Sequence, residues 1–75
     1  MATIDMAATG KKIKGFLQDK GIKVKDVAEN LGFASAYPVY KWINGQNMPT
    51  LDNLVALADM MGVPITDLLV IKKPV

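Results

Sequence analysis

At 75 residues the chain has room for one domain. That is near the lower limit at which a single hydrophobic core holds a fold, since a chain this short buries only about 60% of its unfolded surface. A hydrophobic content of 51% supports such a core and argues against disorder, while the absence of cysteine and histidine removes disulfides, thiolate nucleophiles and the usual carriers of zinc sites. The formal charge of +2 is compatible with nucleic acid without demanding it.

The acidic residues, six aspartates and one glutamate, are scattered and accompany no Gly-rich phosphate loop. With no histidine for general-base chemistry either, the composition points away from an enzyme, and it suggests neither a cofactor nor a metal site. No apolar run approaches the roughly 20 residues needed to cross a bilayer. The N-terminus MATIDMAATG lacks the charged-then-apolar layout of a signal peptide, so a cytoplasmic location is expected. All nine basic residues are lysines, so any contact with a guanine edge would come from a point charge and not from a bidentate arginine fork.

Residues 1–8 read as a partly ordered arm. Thr9 is a candidate cap for a first helix over residues 10–20, with Ile13, Phe16 and Leu17 on one face and Gly21 ending it. Lys11, Lys12 and Lys14 lie off that face and read as solvated helix surface. A second helix over residues 24–30 carries Val24, Val27, Ala28 and Leu31 at i, i+3, i+4 and i+7, and Gly32 follows as its terminator. Asp26 and Glu29 on it are ordinary helix surface, since they have no metal partners.

Pro38 belongs in the first turn of a third helix, where Val39, Trp42 and Ile43 face inward and Tyr40, Lys41 and Asn44 point away. Two short helices joined at a tight turn can lock their apolar faces together and present a polar one outward, the arrangement that lets a helix enter a DNA major groove. A solvated side of a core helix would carry the same residues. After the turn cluster Asn44-Gly45-Gln46-Asn47, Thr50 caps a fourth helix over residues 51–61, with a stripe of Leu51, Leu54, Val55, Ala58 and Met61 and with Gly62 closing it. The Met60-Met61 pair reads as core filler. A last short helix over residues 64–70 would bury Ile65, Leu68 and Leu69, followed by a tail over 71–75. Five helices and no convincing strand define an all-α domain over residues 9–70, a compact bundle.

Several of these residues occur in a familiar order: Val27-Ala28 then Leu31-Gly32, Tyr40-Lys41-Trp42 with Asn44-Gly45, Met48-Pro49-Thr50-Leu51, and Gly62-Val63 before Asp67-Leu68-Leu69. In this, from about residue 10 to residue 70, the chain resembles the phage-repressor and Cro type of helix-turn-helix transcription regulator, the XRE family. The resemblance implies a lambda-repressor-like bundle with helix three in the major groove and helix two across the backbone above it. It places Ser35, Ala36 and Tyr37 at the start of the recognition helix and Tyr40 and Lys41 on its groove-facing side, with Lys41 reaching a guanine edge or a nearby phosphate. Asn44, Gln46 and Asn47 match a segment that commonly meets the sugar-phosphate backbone, as does Lys23 at the start of helix two.

Three positions depart from the family pattern. One extra residue lies between Gly32 and Val39, Val24 replaces a polar residue, and Pro38 stands where an N–H-bearing residue is usual. The proline would delay the recognition helix and leave Ala36 and Tyr37 in the turn. The function implied is a sequence-specific repressor of double-stranded DNA, acting as a homodimer on a two-fold symmetric operator, with residues 68–71 in the dimer contact. An antitoxin with a toxin as protein partner would use the same fold. A protein-interaction module that has lost DNA readout, with Tyr37, Tyr40 and Trp42 as an aromatic patch, is the competing expectation.

Overall fold

The first helix begins a turn earlier than its most obvious cap. In the computed structural model, which describes residues 1–73, α1 runs from Met6 to Lys20, and the side chain of Asp5 caps it by accepting the Ala8 N–H at 2.9 Å. Aspartate is as good a cap as threonine, and Met6, Ala7 and Ala8 are good helix formers, so the helix extends to the earlier site. Thr9, expected as the cap, is instead fully buried, and its Oγ1 accepts the backbone N–H of Val70 at 3.0 Å.

That hydrogen bond is part of a closure that the sequence pattern did not announce. β1 (Thr3–Ile4) pairs antiparallel with β2 (Ile71–Lys72), with Thr3 opposite Lys72 and Ile4 opposite Ile71. The Asp5 N–H adds a further bond to the Val70 carbonyl at 2.8 Å. Residues 3–5 of the expected arm and 70–72 near the chain end are therefore joined in one two-stranded ribbon. Pro74 and Val75, the end of the expected tail, lie outside the described residues. Thr9→Val keeps the side-chain shape but leaves the Val70 N–H without its acceptor. Urea denaturation should register a loss of about 1–3 kcal/mol, with Thr9→Ser closer to wild type.

The middle of the chain follows its periodicity closely. α2 spans Val24–Asn30, α3 spans Tyr37–Ile43, and α4 spans Leu51–Met61. The Thr50 hydroxyl oxygen accepts the Asn53 N–H to cap α4, and Gly62 ends it. The buried stripe of α4, however, is Leu54, Leu57, Ala58 and Met61, whereas Leu51 and Val55 are 71% and 56% exposed. Leu51, Leu54, Val55, Leu57 and Ala58 are all apolar, so the period of 3.6 admits two inward faces, and packing selects the one that carries Leu57.

The expected fifth helix is a single 3-10 turn, Ile65–Asp67, closed by i to i−3 bonds from Asp67 to Pro64 and from Leu68 to Ile65. Beyond it the backbone of Val70 is engaged by Asp5 and Thr9, and those bonds draw the β-branched Val70-Ile71 pair into extended structure, which they favour. The architecture is thus four α-helices with a 3-10 turn and a terminal ribbon, in place of five helices. Leu68 is wholly buried within this fold, and of residues 68–71 only Ile71 is exposed, so Leu68 is core and not part of a self-contact.

The core takes Ile13 and Leu17 from α1, Val27 and Ala28 from α2, and Val39, Trp42 and Ile43 from α3, closed by α4 and Leu68. No helix among the described residues is long and apolar enough to cross a membrane.

Candidate nucleic-acid interface

α2 ends at Asn30 with Leu31 as its cap, and the Phe33 N–H returns to the Ala28 carbonyl at 2.9 Å, folding the turn back over the helix end. This places Phe33 against Trp42 of α3, with ring centroids 5.7 Å apart and planes at 68°. An edge-to-face pair of this kind adds about 0.5–1.5 kcal/mol beyond the area it buries. Trp42 is only 5% exposed, so it fastens α3 to the turn and cannot contribute to a surface aromatic patch.

The extra residue in the turn is absorbed before α3. Ser35 accepts the Tyr37 N–H on its Oγ at 3.3 Å, and Ala36 stands as the residue before the helix, half-buried against the core. Tyr37 is the first helical residue and Pro38 the second. At that position the missing N–H of proline would have had no partner within the helix, so Pro38 neither delays nor kinks α3. Ala36 lies outside the helix, while Tyr37 belongs to it, contrary to the expectation that both would fall in the turn.

Val39, Trp42 and Ile43 turn inward at 0%, 5% and 8% exposure, which leaves Tyr37, Tyr40, Lys41 and Asn44 on the opposite side. Tyr37 and Tyr40 are 65% and 49% exposed. The Lys41 ammonium sits 5.1 Å from the centroid of the Tyr37 ring, one helical turn away. Asn44 ends the helix, and the chain turns back with the Gly45 N–H bonded to the Trp42 carbonyl at 3.1 Å and the Gln46 N–H to the Lys41 carbonyl at 2.9 Å. The side chains of Gln46 and Asn47 are exposed immediately after this turn. Lys23, just before α2, is exposed and makes no capping bond with its side chain. Lys25, passed over in the sequence reading, is exposed in the first turn of α2. Its position two residues after Lys23 and off the apolar stripe would have identified it.

α1 holds the far end of α3 at very short range. A Cβ on Gly10 would collide with the Trp42 carbonyl oxygen and lie 2.9 Å from that of Ile43, and one on Gly45 would lie 2.8 Å from the Cα of Ala7. Gly45 also has a φ of +73°, a conformation open to glycine and costly for other residues. Two glycines thus let α1 approach the last turn of α3 backbone to backbone, so that the exposed face stands on a fixed platform.

Charge is distributed unevenly along the chain. Seven of the nine lysines lie between residues 11 and 41, whereas residues 42–71 contain three aspartates and no lysine. Counting Asp19, Asp26 and Glu29 against those seven lysines, residues 11–41 carry a net charge of +4.

A paired α2 and α3 with an outward polar face on α3 is the geometry of a helix-turn-helix domain. The sequence matches the family model of the Cro/C1-type HTH DNA-binding domain over residues 12–74, and the chain belongs to that family. Among solved structures it is similar to the DNA-binding domain of BldD, at 27% identity and a TM-score of 0.72, over 88% of this chain and 94% of that one. The S. venezulae BldD DNA-binding domain gives the same identity and TM-score, with 88% of this chain and 97% of that chain covered. None of the curated proteins matches the chain.

Proposed function

We propose that this protein is a sequence-specific transcriptional regulator, a repressor in its simplest form, that lays α3 in the major groove of a two-fold symmetric operator as a homodimer. The observation that carries this reading is the outward face of α3, with Tyr37, Tyr40 and Lys41 standing on a helix whose other side is locked in the core. Lys41 would donate to a guanine edge, while Tyr37 and Tyr40 would make contacts to bases and sugars. Lys23, Ser35, Asn44, Gln46 and Asn47 would hold the register through the sugar-phosphate backbone, and Ala36 would support the start of the helix. The net positive charge of residues 11–41 favours approach to a phosphate backbone.

A single domain with one lysine on its reading face is expected to bind weakly alone, which is why dimerisation and two half-sites about one helical turn apart belong to the proposal. Selection from a random duplex library at low and moderate salt tests it. Enrichment of a two-fold symmetric motif that persists as salt rises is the expected result. Retention of all sequences alike, lost as salt rises, would show charge-driven binding without readout.

A further inference from the structure

The nine lysines are not equivalent in the structure. Eight of them are exposed, and Lys41 alone is partly buried, although it stands on the open face of α3 among exposed neighbours. Its ammonium lies 5.1 Å from the centroid of the Tyr37 ring. The residues are four apart on one helix, where side chains are neighbours. An ammonium over an aromatic face is attracted by the ring quadrupole, and the apolar stem of a lysine gains by lying on such a surface.

We infer that Tyr37 is a positioning residue for Lys41, holding its ammonium at one place on the α3 face so that a flexible point charge can discriminate a guanine edge. The inference rests on the reading of α3 as the DNA-facing helix. It addresses a specific difficulty of this chain, which has no arginine. A bidentate arginine fork is geometrically selective by itself, whereas a lysine turns among many rotamers and meets phosphates and several acceptors about equally well. Fixing the ammonium against a ring restricts those rotamers before DNA arrives, so less freedom is lost on binding and fewer acceptors come within reach. Tyr37 is itself well placed to serve: it is the first residue of α3, its backbone N–H is held by Ser35, and Pro38 after it limits backbone freedom at the helix start.

The test combines a structural readout on the free protein with a specificity cycle on DNA. In the free protein, the ε-methylene protons of Lys41 should resonate upfield of those of the other lysines because of the ring current. The shift should remain in Tyr37→Phe and vanish in Tyr37→Leu, which keeps apolar bulk without the ring. Lysine resonances that are all alike in the wild type would overturn the inference without touching the DNA reading.

On a site selected by the wild-type protein, Lys41→Ala should remove the preference for guanine at one base pair of each half-site. Tyr37→Leu should lower the preference at that same pair by about two- to fivefold, the range for an exposed cation–π contact, while Tyr37→Phe stays close to wild type. In a Lys41→Ala background, Tyr37→Leu should change the preference no further. The salt dependence of binding should be the same for wild type and Tyr37→Leu, since no charge is altered. Additive losses at that pair, or no loss there at all, would overturn the role of Tyr37 as a positioner, whereas a further loss at a different pair would reflect a DNA contact of its own. Failure of the wild type to select any site would defeat the DNA reading and this inference together, a result distinguishable from either of the others.

Discussion

Gly10→Ala is expected to lower the unfolding free energy by about 2–3 kcal/mol, the cost of forcing an extra methyl into a packed contact. Intrinsic propensity predicts the opposite, because alanine in a helix interior is better than glycine by about 1 kcal/mol. The steric term wins because the atoms in the way are the backbone carbonyls of Trp42 and Ile43, which cannot turn aside as a long side chain could. A domain of this length has only about 4–11 kcal/mol of stability in total, so the loss is a large share of it. Gly15 supplies the control within the same helix: a Cβ there meets nothing within 4 Å. Gly15→Ala should therefore stabilise by up to about 1 kcal/mol. Urea denaturation of the two variants side by side would separate close approach from propensity. Equal stabilisation by both would show that α1 and α3 do not approach as described. If Gly10→Ala folds by moving α1 away, the last turn of α3 loses its support, and DNA binding should weaken together with stability.

Lys41→Ala is expected to act in the opposite manner, leaving stability within about 0.5 kcal/mol of wild type while reducing affinity for a selected site by about 10- to 100-fold. The size follows from the 1–3 kcal/mol of discrimination carried by a good base-edge contact, and here it falls on the one lysine of α3. Binding to unrelated duplex should fall much less, because the lysines of α1 and α2 continue to attract phosphates. Fluorescence anisotropy on specific and scrambled duplexes would measure both. An equal loss on the two would place Lys41 at a phosphate, and no loss on either would remove α3 from the interface.

The helices that position the site were readable because their signals agree. In α2 and α4 apolar residues at helical spacing, a cap or first-turn carboxylate and a following glycine all point to the same boundaries. Where two signals of equal quality compete, reading fails. Asp5 and Thr9 are both capping residues, and only the position of Val70, 61 residues further on, makes Thr9 more valuable inside the fold than at its edge. The ribbon formed by residues 3–4 and 71–72 is too short to show an alternating pattern, and its partners are at opposite ends of the chain. Leu51 and Val55 illustrate the same limit on α4, since periodicity cannot choose between two apolar arcs of one helix.

At the candidate interface, the outward placement of Tyr40, Lys41 and Asn44 was legible from the inward period of Val39, Trp42 and Ile43. The contact between Lys41 and Tyr37 was not, because it depends on whether Tyr37 belongs to the turn or to the helix, and Pro38 permits both. Gly10 carried a signal that went unused. A glycine inside a strong helix suggests that another backbone passes close by.

In the proposed function, the Tyr37, Tyr40 and Lys41 face of α3 reads DNA from the major groove. Methylation interference on a selected site tests it most directly, because guanine N7 lies in the major groove and adenine N3 in the minor groove. Methylation at N7 of specific guanines in each half-site is expected to block binding by the wild-type protein, and at least one of these positions should cease to matter in Lys41→Ala. Interference confined to adenine N3, or an identical guanine pattern in wild type and Lys41→Ala, would contradict it.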